Sequence, residues 1–242
     1  MKKVIIFMLT LISLNSYGQD NTATADFKRV QIGVNVSTDI AYRTLQNNEG
    51  SQSMAHRIDS NNDIEIPKIS YTAGANVSFN INKLLSLETG VQYSNKGYQT
   101  KMLVIPFETL VYDPNTPTIE GKMIYDYHYI DIPIKANFAI GQNKVRFFSS
   151  IGLTANILID ATQSSIIVAQ NETTKYKQDT NYGYNKLNIS PTISVGVDYK
   201  INNNMNLRVE PTFRYGILPI IDAPIQGYLY NGGLNVSYYV GF

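Results

Sequence analysis

The chain contains no cysteine. That excludes disulfides, a thiol nucleophile, Cys-ligated metal and the acylated cysteine that anchors a lipoprotein. Histidine occurs only as His56 and His128, so imidazole chemistry has two residues to draw on. Charge is scarce, at 16% of residues against about 25% in soluble domains. The formal net charge of +1 leaves nothing to steer the protein toward nucleic acid. No apolar run reaches the roughly 20 residues of a membrane-spanning helix. The longest, VIIFMLTLISL, follows MKK at the start and is followed by NSYG.

That order, basic then apolar then small, is the layout of a secretory signal peptide, expected over 1–18 with cleavage after Gly18. A short periplasmic segment is expected over 19–28 and one barrel domain over 29–242. An exported chain without a helical span crosses a membrane, if it does, as strands.

From residue 30 onward apolar and polar residues alternate. The alternation predicts strands over roughly 30–43, 68–80, 84–100, 123–139, 145–160, 184–200, 205–218 and 231–242. INK (81–83), GQNK (141–144) and INNN (201–204) read as tight turns. The connections 44–67, 101–122, 161–183 and 219–230 are long and polar. Short and long alternate, as in an all-β, eight-stranded antiparallel up-and-down transmembrane β-barrel with short periplasmic turns and long extracellular loops.

Side chains in a strand alternate faces with period two. In 205–215, Met205, Leu207, Val209, Pro211, Phe213 and Tyr215 share one face, while Asn206, Arg208, Glu210, Thr212 and Arg214 share the other. The remaining strands repeat the pattern, with polar faces built mainly from Gly, Ser, Thr and Asn. Such small residues suit a crowded interior, so the apolar faces are expected to look out at lipid. An Arg on the lipid side costs about 2–4 kcal/mol near the midplane, whereas inside a barrel it can pair. The expected lumen network comprises Glu88, Asp131, Lys135, Arg146, Asp198, Arg208, Glu210 and Arg214. Aromatic girdles are expected from Tyr42, Tyr71, Tyr98, Tyr127, Tyr184 and Tyr215 near the long loops. Phe79, Phe138, Tyr199 and Phe242 form the other girdle, near the short turns. Pro133, Pro191 and Pro211 fall inside strands, where bulges are expected.

Four stretches carry a family resemblance: RVQIGVNVS (29–37), QYSNKGY (92–98), YIDIPIKANF (129–138) and GLNVSYYVGF (233–242). In that order they resemble the PorT-like outer-membrane barrels of Bacteroides-type bacteria. The resemblance implies an outer-membrane barrel with no catalytic residues to carry over. It also implies a possible link to protein export, for which the best-known member of that family is implicated.

Neither catalytic nor cofactor residues nor a metal site are expected. A rim Ser/His/Asp acyl-transfer site using His56, between Ser53 and Asp59, or His128, beside Asp126, would make the chain a lipid-modifying enzyme. The loop carboxylates Asp59, Asp63, Glu65, Asp113 and Glu120 lack the spacing of a calcium loop. A third reading is an adhesin or receptor acting through the long loops. Phe242 at the end of an alternating strand resembles the signal read by the barrel insertion machinery. Expected partners are outer-membrane lipid, that machinery and an unidentified envelope protein, with no nucleic acid, for a monomer in the outer membrane.

Overall fold

The computed structural model describes residues 28–105, 119–141, 143–169, 172–180 and 183–242. The expected signal peptide and all but the last residue of the segment 19–28 lie outside the described residues. Eleven strands and one helix follow in chain order. They are β1 (Val30–Asn47), α1 (Gln52–Ile64), β2 (Glu65–Ile66), β3 (Lys68–Asn80), β4 (Leu85–Thr100) and β5 (Leu103–Ile105). The second half comprises β6 (Ile119–Ile140), β7 (Val145–Ala169), β8 (Glu172–Asp179), β9 (Leu187–Lys200), β10 (Met205–Tyr215) and β11 (Ile225–Gly241).

All pairings are antiparallel, and the path β4-β3-β1-β11-β10-β9-β7-β6 returns to β4 through the β4–β6 ladder. First and last strands meet in the middle of that path, with Gln31 opposite Gly241 and Asn47 opposite Ile225. Closure removes the free edges that an open sheet would present. At one end the turns are tight. The Asn82 side chain accepts from the Leu84 and Leu85 amides (both 2.8 Å), and Asn202 does the same for Asn204 (2.8 Å). The other end carries everything added to the closed path. There β2 pairs the last residues of β4, β5 pairs the start of β6, and β8 pairs the end of β7.

Burial is inverted relative to a water-soluble sheet. Ile69 is 80% exposed while Thr72, on the opposite face of the same strand, is 0% exposed. Along β10 the polar residues Asn206, Arg208, Glu210, Thr212 and Arg214 are all buried, and Pro211 and Phe213 are exposed. Val34, Val36, Ile40, Leu87, Val91, Ile134, Ile151, Ile193, Val195 and Leu234 cover the outside. Apolar surface costs about 25 cal/mol per Å² to keep in water, so this wall belongs in hydrocarbon.

Several expectations change. Among the described residues there are eleven strands instead of eight, because the long connections are partly strand: β1, β6, β7 and β11 run past their expected ends, and β2, β5 and β8 lie wholly within those connections. Past the apolar wall the pairing is carried by backbone hydrogen bonds and continues while the apolar alternation fades. β10 instead stops at Tyr215, short of 218. The prolines produce no bulge: register runs unbroken through Pro133–Thr154, Leu153–Pro191 and Pro211–Leu234. Rungs are simply missing beside two of them, between Thr89–Ile134 and Gln92–Asp131 and between Val209–Val197 and Thr212–Ser194. The register shift falls instead at His128/Tyr129, where Ile159 is the extra residue between Leu158 and Asp160. Tyr127 is not a girdle residue; it is 3% exposed and packs inward with Tyr98 and Tyr184.

The charge-lined interior as candidate functional site

Every expected lumen residue lies on an inward-facing strand position, because each occupies the polar parity of its strand. They gather into two clusters. The first, toward the tight turns, centres on Glu88, which is 1% exposed. Lys135 Nζ lies 2.7 Å from its Oε1; Arg208 Nη1 (2.9 Å) and Asn137 Nδ2 (2.7 Å) donate to Oε2. Arg208 reaches on to Asp198 (3.7 Å), which also receives Arg146 and Asn206. Its guanidinium lies between the Phe148 and Tyr239 rings, 3.9 and 4.5 Å from their centroids. Glu210 accepts from Ser194 and Asn235 and lies 4.0 Å from Lys135.

A belt of amides follows: Gln92 donates to Asn76 (2.8 Å), Asn76 to Asn35 (3.0 Å) and Asn35 to Asn235 (3.1 Å). Beyond it stands the second cluster, holding Asp131 and Arg214. Asp131 accepts from Asn156 (2.6 Å) and pairs with Lys96 (3.2 Å). Arg214 lies 3.6 Å from Asp39, which accepts from Ser37, Thr72 and Asn231. Asp39 and Lys96 escaped the sequence reading, although both sit on the polar parity of their strands. Lys96 is further concealed because Ser94, Asn95, Lys96 and Gly97 are all buried. Gly97, at φ 146°, marks the local break, since a Cβ there would meet Tyr125 O at 1.9 Å.

The end bearing the long connections is closed by Arg43 on Glu65 (2.5 Å), with Asn62 of α1 accepting from the same guanidinium (2.5 Å). Burial pushes the Glu65 carboxyl above its usual range, and the hydrogen bond and charge of Arg43 oppose that. Tyr98 stacks on Tyr125 (4.7 Å between centroids) and Tyr127 packs edge-on to Tyr184 (5.4 Å). Lys68 pairs with Asp126 and Asn95. Counting Glu210 beside Lys135, the ion pairs among the described residues therefore join Arg43, Lys68, Lys96, Lys135, Arg146, Arg208 and Arg214 to as many carboxylates. Charges buried this deeply persist only when paired. Between Lys96, Tyr129, Asn156 and Asn231 a cavity remains with room for about one water.

The histidines take no part in the two charge clusters. His56 belongs to α1. The His128 ring meets Tyr93 Oη (2.6 Å) and Asn95 (3.4 Å), and its partners include no serine. Of the loop carboxylates, Glu65 is held by Arg43, Glu120 lies in the β6–β7 ladder, and Asp113 falls outside the described residues. Among the described residues no three His, Cys, Asp or Glu side chains gather to hold a metal ion. Phe242 is 68% exposed and its amide donates to Val30 O (2.9 Å).

An antiparallel sheet closed on itself, apolar outside and ion-paired inside, with tight turns at one end and extended connections at the other, defines the class of outer-membrane β-barrels. The chain belongs to the family described as "Outer membrane protein beta-barrel domain", whose model matches residues 17–222, and so to the outer membrane. It is similar to Neisserial surface protein A at 13% identity, covering 88% of this chain and 97% of that one, with a TM-score of 0.42. It is also similar to OprG of Pseudomonas aeruginosa, at 10% identity, 91% and 100% coverage and a TM-score of 0.44. For Ail, the attachment invasion locus protein of Yersinia pestis, identity is 11%, coverage 87% and 99%, and TM-score 0.30. No curated protein matches the chain.

Proposed function

We propose that this protein is a non-enzymatic structural or interaction barrel of the PorT-like type. In this reading β1, β3, β4, β6, β7, β9, β10 and β11 are eight membrane-spanning staves. The long connections face outside, and the tight turns face the periplasm. The observation that carries it is the interior itself: two ion-paired clusters and an amide belt occupy the space that a channel would need. Eight strands enclose only enough room for side chains. The four stretches resembling PorT-like barrels support a link to protein export, with an envelope protein as partner. Outer-membrane lipid surrounds the wall, and the barrel insertion machinery reads Phe242. Single-channel recording in planar bilayers tests the reading. Brief or no openings are expected, and a steady large conductance would overturn it.

A second reading, a loop-mediated adhesin or receptor, is favoured by β8. All eight of its residues are exposed and, among the described residues, it pairs only β7.

A further inference from the structure

Surface charge is distributed unequally between the two ends of the barrel. At the end with the long connections the signs mix: Arg57 shares α1 with Asp59 and Asp63, and Lys175 and Lys177 share β8 with Glu172 and Asp179. The tight-turn end carries Lys28 and Arg29 ahead of β1, Lys83 in the β3–β4 turn, Lys144 in the β6–β7 turn and Lys200 at the end of β9. Among the described residues no exposed aspartate or glutamate stands there. Asp198 is buried beneath and already binds Arg146.

These cations lie on one arc of the rim, and backbone hydrogen bonds fix their order. Arg29 O accepts from the Asn80 amide (2.8 Å), which sets Arg29 beside the turn holding Lys83. Leu84 O accepts from the Ala139 amide (2.8 Å), so that turn adjoins the end of β6 and the β6–β7 turn beyond it. Lys144 O accepts from the Lys200 amide (2.7 Å). The charges of Arg146 and Lys83 repel that of Lys200, and Asp198 attracts it. Among the described residues Arg29, Lys83, Lys144 and Lys200 make no ion pair. Like charges held on one arc repel, and an anion from outside the chain relieves that.

Their place along the barrel axis says which anion. Lys83 lies between the exposed Ile81 and Leu84, Lys144 precedes the exposed Val145, and Lys200 lies between the exposed Tyr199 and Ile201. Those apolar side chains are the last course of the outer wall at this end. A lysine there lays its alkyl stem along the wall and carries its ammonium outward. The layer that meets those ammonium groups is that of the lipid phosphates, where clustered cations favour anionic over zwitterionic lipid.

We propose that this arc is a docking surface for anionic phospholipid headgroups of the leaflet at the tight-turn end, engaged by Arg29, Lys83, Lys144 and Lys200. The proposal rests on the membrane-spanning reading given above. The preference is local to the arc, because the neighbouring INNN turn (201–204) has no charged side chain.

Electron spin resonance of lipids with a nitroxide on the acyl chain tests it. The protein is folded into phosphatidylcholine vesicles, and labelled phosphatidylglycerol or labelled phosphatidylcholine is the probe. Lipid held against the barrel gives a motionally restricted component. In the wild type phosphatidylglycerol should associate more strongly, by about fivefold for each headgroup that a cation engages. Arg29→Gln combined with Lys83→Gln, Lys144→Gln and Lys200→Gln should bring the two lipids to parity. Lys83→Gln with Lys144→Gln, both exposed in turns, should lower the preference and serves if the fourfold variant does not fold. Arg57→Gln with Lys175→Gln and Lys177→Gln, at the other end, should leave it unchanged. Wild type without a preference, rim variants that keep it in full, or its loss in the variant at the other end would overturn the site. Binding of a soluble hexaglutamate peptide in place of phosphatidylglycerol would overturn it in favour of an acidic protein partner. A restricted component from labelled phosphatidylcholine upholds the membrane wall even then, so failure of the arc and failure of the wall are told apart.

Discussion

At the residue scale, neighbours on one strand live in opposite solvents. Arg208 is buried between two aromatic rings and bound to Glu88, while Val209 belongs to the outer wall. The same charge is therefore required at one position and forbidden at the next. Arg208→Met leaves Glu88 with Lys135 and Asp198 with Arg146, so two buried carboxylates each lose a counter-charge. Breaking such a pair costs about 3–5 kcal/mol. Val209→Arg places a guanidinium in hydrocarbon at about 2–4 kcal/mol. Urea unfolding of vesicle-inserted protein should show both losses, the first with the wall intact and the second with the interior intact. A neutral Val209→Arg would mean that this face meets water.

The element scale shows where sequence pattern carries information and where it stops. Alternation exposed both faces of β10 and of β11 from Leu234 to Gly241, because each outward position there must be apolar and each inward one small or paired. It failed for α1, a helix with no buried residue and hence no apolar period to detect. It failed again for the upper part of β7, which runs to 25 residues where roughly 9–11 suffice to cross a bilayer. In that stretch the ladder from Thr162–Asp179 to Ala169–Glu172 is held by backbone hydrogen bonds, which leave no mark on side-chain polarity. Tyrosine suits an interface, which is why sequence places Tyr127 in a girdle; the mouth of the barrel uses the same amphipathic ring as a plug. Among the described residues β8 pairs only β7, and the last residues of β7, from Ile166 on, pair beyond it only the first residues of β6, Ile119–Lys122. Excising 166–175 and joining Ser165 to Tyr176 through Asn-Gly should leave the heat-modifiable gel mobility of the folded barrel unchanged. If the second reading holds, partner binding is lost in the same variant. A deletion that abolished folding would place β8 among the elements that close the barrel.

At the scale of the whole molecule, closure and inversion depend on each other. An open sheet with this interior would expose Glu88, Asp131 and Asp198 at its edges to lipid or leave them unpaired. The β4–β6 and β1–β11 ladders prevent that by bringing first and last strands and the two halves of the chain around one charged axis. Closure in turn is stable only if the surface left outside is covered by hydrocarbon, since Val34, Val36, Val195 and Leu234 gain nothing by facing water. Nitroxides placed singly at Val195, Val209 and Val236 read this coupling directly. Bilayer-soluble oxygen should relax all three strongly, and a water-soluble nickel chelate only weakly. The three sit on adjacent strands β9, β10 and β11, so concordant values report one continuous wall. A strong chelate effect at all three would require the sheet to turn its apolar face toward a core, and the ion pairs along the axis would then have no counterpart in the folded protein.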